Sequence, residues 1–124
     1  MFLEKTISIK KDKGVVALEI KARNATSGNF NVAVDAPSGF QVIGKGKFGD
    51  SIPDIYVIPY LVQELGNHGL AIIGNFCAGN PLDDDTISFD LNFIQMGEVS
   101  DCIELREKNK GVVTLTYSID FKLI

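Results

Sequence analysis

Two long stretches of this chain are written with a period of two. Residues 86–96 (TISFDLNFIQM) set Ile87, Phe89, Leu91 and Phe93 on one side and Ser88, Asp90 and Asn92 on the other. Residues 113–123 (VTLTYSIDFKL) alternate Val113, Leu115, Tyr117, Ile119, Phe121 and Leu123 with Thr114, Thr116, Ser118, Asp120 and Lys122. Successive side chains of a strand point to opposite faces, so each run is a strip with one dry and one wet side. Wound as a helix, the same apolar residues would be smeared around the whole circumference. The chain is therefore expected to be all-β.

The other segments fit that class. Strands are read at 2–9, 15–22, 30–35, 40–43, 54–66, 70–77, 86–96, 101–108 and 112–124, some eight or nine in all. Between them lie turn-forming stretches: KKDKG at 10–14, NATSGN at 24–29, Pro37-Ser38-Gly39, AGNPLDDD at 78–85 and EKNKG at 107–111. These residues bond their own backbone or tolerate left-handed geometry. Short strands at this spacing predict a single domain over 1–124, an antiparallel β-sandwich of about eight strands with Greek-key or jelly-roll connectivity. A closed barrel is the alternative. With 45% hydrophobic residues and eight Phe in 124 residues, the chain can build a core without disulfide or metal.

Two segments are ambiguous. Residues 54–66 (DIYVIPYLVQELG) do not alternate cleanly, but Pro59 would cost a helix about 3 kcal/mol. Ile55, Tyr56, Val57 and Ile58 suit a pleated surface, so a strand is expected, buried on both faces and bulged near Pro59. Gly66-Asn67-His68-Gly69 then reads as a hairpin turn with the sole histidine at its tip. Residues 44–49 (GKGKFG) lack the GxxxxGK[ST] pattern of a phosphate loop and precede no helix. They read as a flexible connector or edge segment.

The net charge of −4 is unevenly spread. Between Phe48 and Leu105 there are ten acids and no Lys or Arg, whereas the first 47 residues carry eight basic and four acidic side chains. Two oppositely charged surfaces, suited to head-to-tail association, are one consequence; interleaving of the strands in space would average them out. Nucleic-acid binding is not expected of an acidic chain with only Arg23 and Arg106 as arginines. No run is long enough for a membrane helix. The start, MFLEKTISIKK, lacks the basic-then-apolar order of a signal peptide, which favours the cytoplasm. A disulfide between Cys77 and Cys102 would instead argue for an extracytoplasmic setting. With a single His and no CxxC, zinc is not expected.

Few residues carry chemistry in their pattern. His68 has no serine motif beside it, so a catalytic role is not expected of it. Carboxylate pairs among Asp83, Asp84, Glu98, Asp101 and Glu104 would suit a hydrolase only if space brought them together. Asn80, Asp83, Asp84 and Asp85 are the candidate metal ligands, since clustered oxygens on a loop suit calcium; an ordinary solvated acidic turn is the expected reading, and no cofactor is expected. The candidate interaction surface is the wet face of the last strand (Thr114, Thr116, Ser118, Asp120) together with Lys45 and Lys47. A flat, weakly charged β surface of this kind invites face packing or edge pairing. The expected function is a non-enzymatic binding or assembly domain, recognising protein or copies of itself through strand edges and oppositely charged surfaces. The alternative is a calcium-dependent or carbohydrate-directed sandwich using the Asn80–Asp85 loop.

Overall fold

The computed structural model describes residues 1–36, 39–48, 54–79, 85–109 and 111–124. In chain order the strands are β1 (Phe2–Ile9), β2 (Ala17–Arg23), β3 (Ser27–Ala36), β4 (Gly39–Phe48), β5 (Asp54–Val57), β6 (Gly69–Cys77), β7 (Thr86–Gln95), β8 (Glu98–Lys108) and β9 (Val112–Leu123). A short 3-10 helix, Val62–Asn67, precedes β6. Two open sheets face each other, five-stranded in the order β1-β9-β6-β3-β4 and four-stranded in the order β5-β2-β7-β8. The protein is an all-β sandwich and not a barrel. Only the β3–β4 and β7–β8 connections stay within one sheet; the others pass between sheets, which is the interleaving of Greek-key and jelly-roll sandwiches.

The pairing departs from a purely antiparallel sheet in one place. β1 runs parallel to β9, with Leu3 opposite Tyr117 and Ile9 opposite Leu123. The chain leaves β1 for the other sheet, so no hairpin dictates its direction. The parallel pairing lets Ile7 and Ile9 join Ile119 and Phe121 in the core.

The alternating apolar residues meet between the sheets. Phe30, Phe48, Phe76 and Phe89 form an aromatic cluster with centroid separations of 5.0–6.4 Å. Leu18, Ile20, Leu70, Ile72, Leu91, Phe93 and Ile119 complete a dry layer beside it. Burying each such side chain is worth roughly 1.5–3 kcal/mol. Cys77 and Cys102 are free and lie on different sheets.

Glycine explains how the rings fit. Gly44 and Gly46 of β4 sit beneath the Tyr56 ring, and a methyl group at Gly74 would collide with the Asn29 carbonyl and Phe30. The segment expected to be a connector or edge is thus the second half of an edge strand, held by Tyr56 leaning across from the other sheet.

The 54–66 segment is a correction. The strand ends at Val57, the chain bends at Pro59-Tyr60, and Val62–Asn67 form the 3-10 turn, so 66–69 is not a hairpin tip. Ile58, Val62 and Leu65 are buried, but Ile55 and Val57 lie 59% and 61% exposed, so the strand is not covered on both faces. Pro59 cannot donate to a ladder, and the apolar spacing of 58, 62 and 65 suits a tight helical turn better than a pleat. A second correction concerns β9. It lies inside its sheet between β1 and β6, so edge pairing by the last strand is closed to it.

Candidate interaction surface

All six residues read from the sequence as an interaction surface share the outer face of the five-stranded sheet. Register aligns Phe2, Thr116, Ile73, Asn31 and Lys45 in one row, and Thr114, Asn75, Asn29 and Lys47 in the next. Ser118 and Asp120 continue β9 on that face. Its character is mixed: amides and hydroxyls, lysines along β4, and the exposed side chains of Phe2, Phe40, Val42 and Ile73. Between the two rows runs a shallow groove of about 400 Å³ lined by Asn29, Asn31, Lys45, Ile73, Asn75 and Thr114, among others; Gly46 and Gly74 give it only backbone, since their side-chain positions face the core. The Thr114 hydroxyl donates to Asn75 Oδ1 at 2.7 Å within it.

The outer face of the four-stranded sheet is built differently. At one end, both arginines of the chain converge on Asp90: Arg23 Nε lies 2.6 Å from Oδ2 and Arg106 Nη2 lies 2.9 Å from Oδ1. Asp90 and Ser88, expected on the wet side of β7, are buried (6% and 0% exposed). The long stems of the neighbouring arginines cover this central strand while their heads remain partly in water. Burial pushes the Asp90 carboxyl up, but the hydrogen bonds and positive charges of Arg23 and Arg106 outweigh it and hold it below the usual carboxylate range. The Arg23–Asp90 pair also joins the basic first part of the chain to its acidic middle, so the linear charge asymmetry is partly neutralised inside one sheet.

At the other end the same face is apolar. Val57, Ala17, Ile94 and Val99 stand opposite one another across all four strands. Val57 and Val99 are 61% and 55% exposed, with Ile55, Val15 and Met96 exposed nearby. No single strand announces this row; only the register assembles it. Each of its residues alone reads as an ordinary surface apolar side chain.

The four sheet edges are unequally guarded. On β1, Lys5 stands exposed in the core-facing register, the Ser8 amide donates to Asp101 Oδ2 (2.8 Å) and the Lys10 amide just beyond the strand donates to Gln95 Oε1 (2.9 Å). β4 carries a bulge, Lys45 and Lys47. β8 carries a bulge together with Glu98, Asp101, Glu104, Arg106, Glu107 and Lys108. β5, beside the apolar row, has neither bulge nor basic residue.

The remaining candidates lie away from these two faces or outside the described residues. His68 Nδ1 is 2.8 Å from Asp35 Oδ1, and its ring stacks on Tyr60 at 3.9 Å and 9°. The Tyr60 hydroxyl donates to the Asp35 carbonyl. This cluster ties the bend after β5 to β3. Asn80, Asp83 and Asp84 lie outside the described residues; Asp85 immediately precedes β7, where its carbonyl accepts from the Asn109 amide at 2.9 Å. Among the described residues no group of three His, Cys, Asp or Glu side chains is placed to hold a metal ion, and no helix is long and apolar enough to cross a membrane. Compared with known proteins, the chain matches no family model, no curated relative and no solved structure.

Proposed function

We propose that this sandwich is a non-enzymatic protein-binding or assembly domain whose contact surface is the apolar end of the four-stranded sheet. The observation that supports it is the apolar Val57–Ala17–Ile94–Val99 row crossing all four strands, exposed at Val57 and Val99 and half-buried at Ala17 and Ile94. Charge is secondary in this reading, because the strands interleave and Arg23 and Arg106 are engaged by Asp90. The free thiols support a reducing compartment, the cytoplasm.

Solution mass at low and high salt tests it, alongside immobilised wild-type protein and the Val57→Lys/Val99→Lys variant. A contact made by the apolar row survives high salt and is lost in the variant. A monomer at every salt concentration, with identical proteins retained by both immobilised forms, would overturn the reading.

The groove on the five-stranded sheet supports a second reading, a ligand-binding sandwich directed at carbohydrate. Its amides and hydroxyls suit a neutral polyol, although Ile73 offers little apolar surface for a sugar ring. Calcium at the Asn80–Asp85 loop belongs to the same reading. It predicts a Tm raised by calcium and a gain abolished by Asp84→Ala; no shift at millimolar calcium removes it.

A further inference from the structure

We infer that the occupant of the β5 edge is the β5 edge of a second copy of this chain, added antiparallel across a two-fold axis. The inference rests on the protein-binding reading above and names its partner, with the contact narrowed to the β5 edge at the Val57 end of the apolar row, away from Val99 on β8. Ile58 N–H donates to the Val16 carbonyl at 2.9 Å, which makes Val16–Ile58 a hydrogen-bonded pair of the β2–β5 ladder. Such pairs alternate along an antiparallel ladder. Leu18–Tyr56 is therefore the next, and the N–H and C=O groups of Ile55 and Val57 point away from β2. Among the described residues β5 pairs with β2 alone.

Self-complementarity selects the second copy. With Tyr56 on the two-fold axis, Ile55 of each copy faces Val57 of the other. Both outward donors and both outward acceptors of each strand are then used, giving four hydrogen bonds. Each exposed Ile55 lies beside an exposed Val57, so the two apolar patches merge into one across an eight-stranded sheet. Asp54 falls opposite Ile58 rather than opposite another Asp54, so no like charges meet at the seam. A register shifted by two residues would leave one outward residue of each strand without a partner inside β5. The other three edges carry bulges, charges or capped amides that oppose such pairing. β5 is only four residues long, so the interface falls in the small, transient class.

Sedimentation equilibrium over a wide concentration range tests the inference with wild type, Val57→Pro and Val99→Asp. Proline at 57 removes an outward donor and leaves the β2 ladder intact. The expected result is a wild-type mass rising from one chain to two, dimerisation weakened roughly tenfold or more by Val57→Pro, and Val99→Asp behaving as wild type. A dimer that survives Val57→Pro and is lost in Val99→Asp would overturn edge pairing while leaving the apolar face as the contact surface. A wild-type monomer at every concentration would overturn the second copy and leave partner binding to the comparison of immobilised proteins. Should Val57→Pro fail to fold, amide exchange in the wild type decides: the Ile55 and Val57 amides gain protection with concentration. Concentration-independent exchange at both overturns the inference.

Discussion

The two outer faces of this sandwich are spelled alike in the sequence and built unlike in space. On the five-stranded sheet the polar positions of β9 (Thr114, Thr116, Ser118, Asp120) stay at the surface with short neighbours such as Asn75 and Ala71. On the four-stranded sheet the polar positions of β7 (Ser88, Asp90) disappear beneath Arg23 and Arg106. Both strands are central in their sheets. What separates them is the reach of the side chains on adjacent strands, so a polar residue on a wet face is presented or enclosed according to its cross-strand partners.

The largest effect that tests this contrast is at Asp90. Asp90→Ala leaves two arginines facing each other without their counter-charge, and is expected to cost about 3 kcal/mol because the lost carboxylate is enclosed. Thermal or urea unfolding measures it; a cost near that of an exposed residue would mean the enclosure is not energetically real. Next is Gly74→Ala, where the added methyl meets the Asn29 carbonyl and Phe30. An expected loss of about 2 kcal/mol, read in the same unfolding experiment, would show that the core-facing side of the β3–β6 pair depends on close approach of Phe30 to a bare glycine. A neutral Gly74→Ala would mean that β3 and β6 can separate at no cost.

Acid sharpens the same comparison. The Asp90 carboxyl titrates below its ordinary value of 3.8 in the folded protein. Its contribution is therefore present above the unfolded pKa and is lost as pH falls through the folded one. Other carboxylates add to any acid slope, so the informative quantity is the difference between wild type and Asp90→Asn. That difference in Tm should be fully developed at pH 6, begin to shrink as pH approaches about 4, and be smallest near pH 2. A difference that stays constant to pH 2 would show that Asp90 is not held in its charged form.

Much of this was legible from period and turn chemistry. The long alternating runs gave β7 and β9 nearly to the residue, and the turn-rich stretches separated most of the others. The 54–66 segment was not legible, because buried residues at 58, 62 and 65 belong to a bend and a 3-10 turn whose shape is imposed by packing against the core. The parallel β1–β9 pairing is equally silent, since no local signal records which distant strand a segment will join. For the surface, period placed Thr114, Thr116 and Ser118 on an outer face. The Val57–Ala17–Ile94–Val99 row and the Arg23–Asp90–Arg106 cluster were unreadable. Each draws its members from three or more strands that only the fold aligns. Their sole trace in the sequence was negative: the arginines are just two, and both are used.

The smallest predicted effect is the counterpart of Asp90 on the other face. Thr114 is exposed and donates one hydrogen bond to Asn75 at 2.7 Å. Thr114→Val keeps the shape and the β-branched fit to a pleated strand while removing that bond. Water reaches both groups, so the Asn75 amide is not left unsatisfied and the net change in stability should stay within about 0.5 kcal/mol. At this chain length that corresponds to a Tm shift of roughly 2 °C. A loss of about 1 kcal/mol or more would show that the amides and hydroxyls of the five-stranded sheet form a structural network, as Asp90 does on the opposite face. A negligible change would leave the groove as a surface held open to solvent, whose polar groups are free to meet a ligand because the fold does not depend on them.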